Sequence, residues 1–425
     1  MKPVARPATH HAVIALGLTQ IIGWGTTFYV PAILAREIAD SLDVPLIGIL
    51  GAYSWALLIS GLLARRVGAL IDRHGAAPFL AGASTLAAAA LLVHAAADGL
   101  WLVWLSWSII GLGMRAMLYD GAFAALTALS GPAARRSISV LTLFGGLAST
   151  VFWPVSYVLL EAVGWRGTLI LYAVLNLLVC APLHFFFSGC IPNPAVAPRD
   201  ALPPDRASPP ISHASASSAR TSATRTPRER WAAVVITLLA TALACHAFIW
   251  SSLAVHLPEL LQGFGLGAGV AVTVASLMGP FQVLSRSAEL FAQRWLSPLA
   301  IAVPVFAMLP LSLTALALPV SVTAAATSFV LIYGFSNGLL TILRGSLPLT
   351  LIGPRGYGEV LGRIAAPSLY VSALSPLLFG LAIESWGARV ASLLLFLAGL
   401  AATAAAAALV RHARKEPAIP TAPEI

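Results

Sequence analysis

Long apolar stretches, separated by charged or Pro/Gly-rich breaks, make up most of this sequence and constrain its fold more than any other feature. Each has about 20 residues or more, the length that an α-helix needs to cross the hydrocarbon core of a bilayer. The stretches are rich in Ala and Leu and do not alternate with period two, so we predict helices rather than the strands of a membrane barrel. Because 59% of the 425 residues are hydrophobic and only 10% are charged, a water-soluble fold is excluded. The twelve predicted spans, numbered in chain order, are residues 12–36, 44–66, 76–97, 100–129, 137–162, 166–188, 231–256, 268–292, 297–318, 321–350, 359–384 and 388–410.

The distribution of Lys and Arg predicts how these spans are oriented. If the N-terminus is cytoplasmic, 19 of the 25 Lys and Arg residues lie on the cytoplasmic side, whereas Arg36, Arg166 and Arg389 lie on the other side. Cytoplasmic loops carry an excess of these residues, so we predict that both termini are cytoplasmic. The net charge of +9 then reflects basic residues that set the topology and face an anionic leaflet of the membrane. We therefore expect no nucleic-acid partner. The first span is too long for the core of a signal peptide and has no small-residue cleavage site, so we expect it to be retained.

The longest break predicts two halves joined by a linker. Its Pro-rich and Ser/Thr-rich composition cannot bury enough apolar area to order itself, so we predict a flexible cytoplasmic linker. The predicted organisation is a six-helix bundle over residues 1–188, the linker over 189–230, a second six-helix bundle over 231–411 and a cytoplasmic tail over 412–425.

Recurring residues suggest that the two halves arose by duplication. Gly-Pro pairs at 131–132 and 353–354 are 222 residues apart, and the same offset relates Pro154 to Pro376. Two six-helix repeats are typical of secondary transporters, in which the substrate site lies between the halves near the middle of the membrane.

The connection between spans 2 and 3 carries a motif. Residues 68–80 read Gly-Ala-Leu-Ile-Asp-Arg-His-Gly-Ala-Ala-Pro-Phe-Leu, and the segment resembles the signature of the major facilitator superfamily between its second and third helices. The resemblance implies an all-α membrane protein with twelve transmembrane helices in two pseudo-symmetric bundles. It also implies a gating loop, here Gly68, Asp72, Arg73 and Gly75, that latches the outward-open state. The basic pair that usually follows the second glycine is replaced by two alanines, and span 5 lacks the spacing of the antiporter motif, so no drug-antiporter function is assigned.

Ionisable residues inside spans are costly, so each one is a candidate functional residue. Arg115 in span 4 is a candidate substrate contact, because a guanidinium holds a carboxylate or similar oxyanion through two hydrogen bonds. Tyr119 lies four residues later on the same helical face. Asp120 is the candidate proton-coupling residue, with a static ion pair to Arg115 or to Arg344 as the alternative.

The second half of the chain contributes three further charged candidates. Arg344 in span 10 nearly occupies the position equivalent to Asp120, and we expect it to contact substrate or to form a gate. Arg286 and Glu289 in span 8 are three residues apart and can pair with each other. For this pair we predict a gating or topological role at the cytoplasmic end of the span.

Uncharged polar and aromatic residues complete the predicted site. Gln20 and Trp24 have the i, i+4 spacing that presents both side chains on one helical face, and so do His246 and Trp250. For each aromatic residue, the alternative is packing within the bundle or a place in the interfacial aromatic belt. The candidates are Gln20, Trp24, Tyr29, His246, Trp250 and Gln282.

These observations predict a bacterial inner-membrane secondary transporter that works by alternating access. We expect a monomer that moves a small solute, with proton coupling and an anionic substrate such as a carboxylate or oxyanion. The alternatives are an efflux pump for a drug, metabolite or metalloid, and a non-transporting membrane sensor on the same fold. We expect neither an enzyme nor a cofactor, because the sequence has no phosphate-binding loop and no nucleophile with its base. The three cysteines have neither disulfide nor metal-ligand spacing.

Overall fold

The structure is a computed structural model that describes residues 7–130, 134–188, 227–292, 295–352 and 357–415, and in these ranges it contains helices and turns without a strand. The all-α membrane architecture is therefore confirmed. The helices of the N-terminal half are α1 (Pro7–Gly23), α2 (Pro31–Ser41), α3 (Leu46–His74), α4 (Ala76–Ala95), α5 (Leu100–Met117), α6 (Tyr119–Ser130), α7 (Ala134–Gly146), α8 (Ala148–Leu175) and α9 (Ala181–Ser188). Those of the C-terminal half are α10 (Pro227–Gly263), α11 (Ala268–Ser276), α12 (Met278–Ala292), α13 (Pro298–Thr314), α14 (Val322–Ile352) and α15 (Tyr357–Lys415).

Ten helical segments of the described chain are long and apolar enough to cross a membrane, and two of them are long enough to cross twice. Residues 140–186 form a 47-residue segment and residues 363–415 a 53-residue segment, whereas about 20 residues suffice for one crossing. Each long segment turns at a glycine with positive φ, Gly164 at 68° and Gly387 at 76°. Side chains disfavour such φ values, so glycine supplies the turn. Division at these two residues gives twelve segments, within the described residues, that are each long enough to cross once.

The connection between spans 2 and 3 is shorter than the predicted span ends at residues 66 and 76 imply. Helix α3 continues through residues 68–74, and Gly75, with φ 86° and ψ 156°, is the single residue that separates it from α4. The segment contains good helix formers such as Ala, Leu and Arg, so only the glycine interrupts the hydrogen-bond ladder. Arg73 is exposed there, and the side chain of Asp72 lies outside the described residues.

The outer surface of the helices carries large apolar side chains. Leu178, Phe185, Phe186 and Phe291 each expose about two thirds or more of their area. An apolar surface of this kind drives association in water but is the stable surface against lipid tails. This surface, together with the long apolar helices, indicates a multi-pass membrane protein.

The two halves pack against each other at the end of the bundle remote from the termini and at mid-depth. Near the remote end, Arg36 of α2 forms an ion pair with Glu259 of α10. Closer to the middle, the Thr150 hydroxyl of α8 donates to the Ser276 carbonyl of α11 over 2.8 Å. The remote end is thus closed by contacts between the halves.

Candidate functional site

Two breaks in the N-terminal half position the residues of a central cavity. Between α1 and α2, residues 24–28 form a π-helical turn in which the Tyr29 N–H donates to the Trp24 carbonyl at 3.0 Å. A π turn places residues five apart nearly above one another, and such turns are frequent at functional sites. Trp24 and Tyr29 consequently both line the same cavity.

Span 4 is interrupted at Leu118, which has an extended backbone between α5 and α6. The amide of Gln20 donates to the Met117 carbonyl at the break, with 2.9 Å between nitrogen and oxygen. The break brings Tyr119 to the cavity, whereas Gln20 itself is completely buried behind the wall.

The cavity has a volume of about 210 Å³ and lies between the two halves. Eight of its lining residues were singled out from the sequence: Trp24, Tyr29, Tyr119, His246, Trp250, Gln282, Arg286 and Arg344. No sequence pattern indicates the other lining residues, which are Gly145, Gly146, Leu243, Ala247, Asn337, Leu340, Thr341, Ser368, Leu369 and Ser372.

Arg286 connects the two halves at this cavity. Its side chain is buried, with 6% exposed. Nη1 donates to the Thr142 carbonyl of α7 at 2.5 Å, and Nη2 donates to the Thr341 hydroxyl of α14 at 3.2 Å. The Nε–H is buried without an acceptor from the described protein. A buried charged donor that lacks an acceptor is costly.

Aromatic rings form one wall of the cavity. The centroid of Trp24 lies 4.9 Å from Phe28, 5.1 Å from Tyr119 and 6.4 Å from Trp250. Trp250 in turn stacks on Phe28 at 5.0 Å. The indole N–H of Trp24 is buried and has no partner among the described side chains and backbone groups. The wall is rigid because each ring is held by others.

Polar side chains of the C-terminal half also line the cavity. His246 Nε2 lies 2.9 Å from Asn337 Oδ1, and since the amide oxygen accepts, this ring nitrogen carries the hydrogen. The hydroxyl of Ser368 is buried without a described hydrogen-bond partner. Arg344 adds a second guanidinium, and none of the described residues that line the cavity is Asp or Glu.

A family model described as Major Facilitator Superfamily matches residues 13–366, which is most of the chain. The chain belongs to the major facilitator superfamily. The resemblance inferred from the motif at residues 68–80 is therefore confirmed.

Solved structures of other facilitators have the same fold. Two are of a bacterial homologue of the human lysosomal transporter Spinster in inward-facing conformations. The unoccupied one has 14% identity and a TM-score of 0.64 over 98% of this chain and 100% of that chain. The occupied one has 12% identity and a TM-score of 0.69 over 99% and 100%. A point mutant of the nucleoside transporter NupG has 14% identity and a TM-score of 0.67 over 95% and 99%. No curated protein matches.

Several predicted residues of this facilitator lie away from the cavity or outside the described side chains. Arg115 is half-buried in the last turn of α5 and does not line the cavity, and the side chain of Asp120 lies outside the described residues. Glu289 is half-buried on α12. Gly68 lies inside α3, and Gly75 is the residue between α3 and α4. Their predicted roles remain predictions.

A second cavity, of about 260 Å³, lies between the halves near the end remote from the termini. Glu259 there accepts hydrogen bonds from Arg36 and from His256 Nδ1, the latter at 2.8 Å, while His256 Nε2 donates to the Pro376 carbonyl at 2.9 Å. The network of Arg36, His256 and Glu259 could not be predicted from the spans, because Glu259 lies beyond the predicted end of span 7. The i, i+3 spacing of His256 and Glu259 was the one available signal.

Within the described residues, no group of three or more His, Cys, Asp and Glu side chains is arranged to hold a metal ion. The groups that the central cavity does offer are hydrogen-bond donors, two guanidinium groups and aromatic faces.

Proposed function

We propose that this facilitator carries a small organic anion across the membrane by alternating access. The observation that supports this most directly is the charge of the central cavity, which has Arg286 and Arg344 in its lining and no carboxylate among its described lining residues. Hydrogen bonds between a guanidinium and an oxyanion are about twice as strong as neutral ones.

The contacts between the halves support an inward-facing state within such a cycle. The Arg36–Glu259 pair closes the end remote from the termini, which we propose to be the external end. Arg286 contacts both halves at the cavity, so a ligand that engages this guanidinium would change the bond to the Thr142 carbonyl. The binding free energy would in this way bias the equilibrium between the two orientations of the halves.

We further propose that transport is coupled to protons and takes place in a bacterial inner membrane with both termini cytoplasmic. Moving one negative charge inward against the membrane potential costs about 2.3 kcal/mol per 100 mV. Symport with one proton removes this cost for a monovalent anion. Asp120, next to the cavity residue Tyr119 in sequence, is the proposed proton-binding group.

The test is binding and flux with the purified full-length protein. We expect carboxylates to raise its melting temperature and to enter proteoliposomes, and we expect Arg286→Gln and Arg344→Gln to abolish both effects. Arg389→Gln is the matched control, because Arg389 lies over the Phe264 ring away from the cavity. Unchanged anion flux in both cavity variants would overturn the proposal.

Proton coupling is tested separately. A pH gradient of acid outside should accelerate uptake into proteoliposomes, and Asp120→Asn should remove this acceleration. Flux that is indifferent to the pH gradient in the unaltered protein would refute coupling while leaving anion transport in place.

A further inference from the structure

We infer that the substrate of the central cavity is a carboxylate attached to a single aromatic ring. This inference rests on the proposed function and adds the chemistry of the uncharged part of the ligand. It comes from the composition of the cavity lining, in which aromatic rings and guanidinium groups adjoin each other.

One wall offers flat π surfaces. Trp24, Tyr29 and Tyr119 come from the N-terminal half and Trp250 from span 7, and all four line the cavity. Their rings already contact one another in edge-on and tilted pairs, as in the 5.1 Å approach of Trp24 to Tyr119. A planar ligand ring placed against these faces gains edge-to-face or offset contacts, which aromatic pairs favour.

Cationic groups lie beside these rings. Arg286 and Arg344 supply charge, and the Tyr119 hydroxyl and Arg286 Nη1 both donate to the Thr142 carbonyl. A ring that carries its carboxylate directly matches this close placement of charge and aromatic surface. A small inorganic oxyanion would leave the aromatic wall unused.

The volume limits the ring system. The cavity holds about 210 Å³, below the ~300–1,000 Å³ of pockets for drug-sized ligands. One ring with its carboxylate is favoured over a fused two-ring acid. A flexible aliphatic acid of equal size would lose rotational freedom on binding and would gain no contact between ring faces.

The experiment compares the dissociation constants of benzoate, cyclohexanecarboxylate, 2-naphthoate and benzamide for the purified full-length protein. Benzoate should bind roughly two- to tenfold more tightly than cyclohexanecarboxylate for each ring contact made. The ratio should approach one in Trp24→Leu, which removes the aromatic face but keeps apolar bulk. Trp250→Leu, in the other half, serves the same purpose if the first variant does not fold. Trp101→Leu is the matched control, since Trp101 is 66% exposed in the first turn of α5.

A preference for benzoate that is lost in a cavity variant and kept in the control supports the inference, and weaker binding of 2-naphthoate supports the size limit. Equal or tighter binding of cyclohexanecarboxylate by the unaltered protein would overturn the aromatic inference and leave anion transport standing. Binding of benzamide but of no carboxylate would overturn both. The ratio for the unaltered protein decides the matter even if neither variant folds.

Discussion

Replacing Glu259 by Gln should open the end of the molecule that is remote from the termini. The Glu259 carboxylate accepts a hydrogen bond from Arg36 across the interface between the halves and another from His256 within its own half. Only the first of these bonds is lost when the halves separate. The free energy of closure therefore depends on the Arg36–Glu259 pair and not on the His256 bond.

The size of the effect follows from the exposure of the two side chains. Arg36 exposes 56% of its side chain and Glu259 exposes 26%. Ion pairs accessible to water to this degree are worth about 0.2–1 kcal/mol. At the upper limit, the loss of ~1 kcal/mol shifts the ratio of open to closed molecules by roughly fivefold.

A cysteine introduced at Leu50 measures this shift. Leu50 is 1% exposed and lies against Gly380 of α15, so a thiol there becomes more accessible when the halves separate. In a background with Cys180, Cys190 and Cys245 replaced by Ser, the labelling rate should rise up to fivefold in Glu259→Gln. Arg36→Gln should give the same rise, and the double variant no more than either single one.

The matched control is Glu37→Gln, since Glu37 lines the same cavity next to Arg36. Labelling that does not change in Glu259→Gln would refute the assignment of the pair as a clasp. A double variant in which the two effects multiply would refute their coupling.

Three further predictions concern stability, measured by thermal unfolding in detergent. Gln20→Leu should destabilise the protein by about 1–3 kcal/mol, because the Met117 carbonyl at the break in span 4 loses its buried donor. Gly164→Ala should cost about 1–3 kcal/mol, since φ of 68° with ψ of 176° is accessible essentially only to glycine. Ser251→Ala should cost about 1 kcal/mol through the loss of the 2.7 Å bond to the Ser372 carbonyl.

Neighbouring residues provide controls for these three variants. Gly82→Ala meets no atom within 4 Å and lies inside α4, so it should be neutral or stabilising. Thr241→Val removes a hydroxyl that donates only within its own helix at an exposed position, so it should change stability little. Equal destabilisation by Gly82→Ala and Gly164→Ala would contradict the role of positive φ.

The spans could be predicted from the sequence because a membrane imposes one length and one composition on every crossing. The orientation of side chains around each helix could be predicted less well. Arg115 and Arg286 both lie within predicted spans, yet of these two only Arg286 lines the cavity. The difference depends on how the helices pack, and the break at Leu118 with its Gln20 support involves residues almost a hundred positions apart.

The geometry of the turns could not be predicted from the sequence either. The composition predicts a loop around Gly75, but a single residue with positive φ suffices to reverse the chain there. The π turn at residues 24–28 is likewise invisible in composition, although it brings Trp24 and Tyr29 to one cavity. Spacing arguments that assume a regular α-helix cannot recover such a displacement.

The one-residue turns at Gly75, Gly164 and Gly387 have a mechanical consequence. A connection without slack does not let its two helices slide past each other, so each such pair moves as one piece. Domain insertions, affinity tags or cleavage sites placed at these turns should prevent the conformational change of the transporter. Insertions between Ser188 and Pro227 should be tolerated, because that segment is long. Tolerance to insertion along the chain would therefore trace the boundaries of the moving parts.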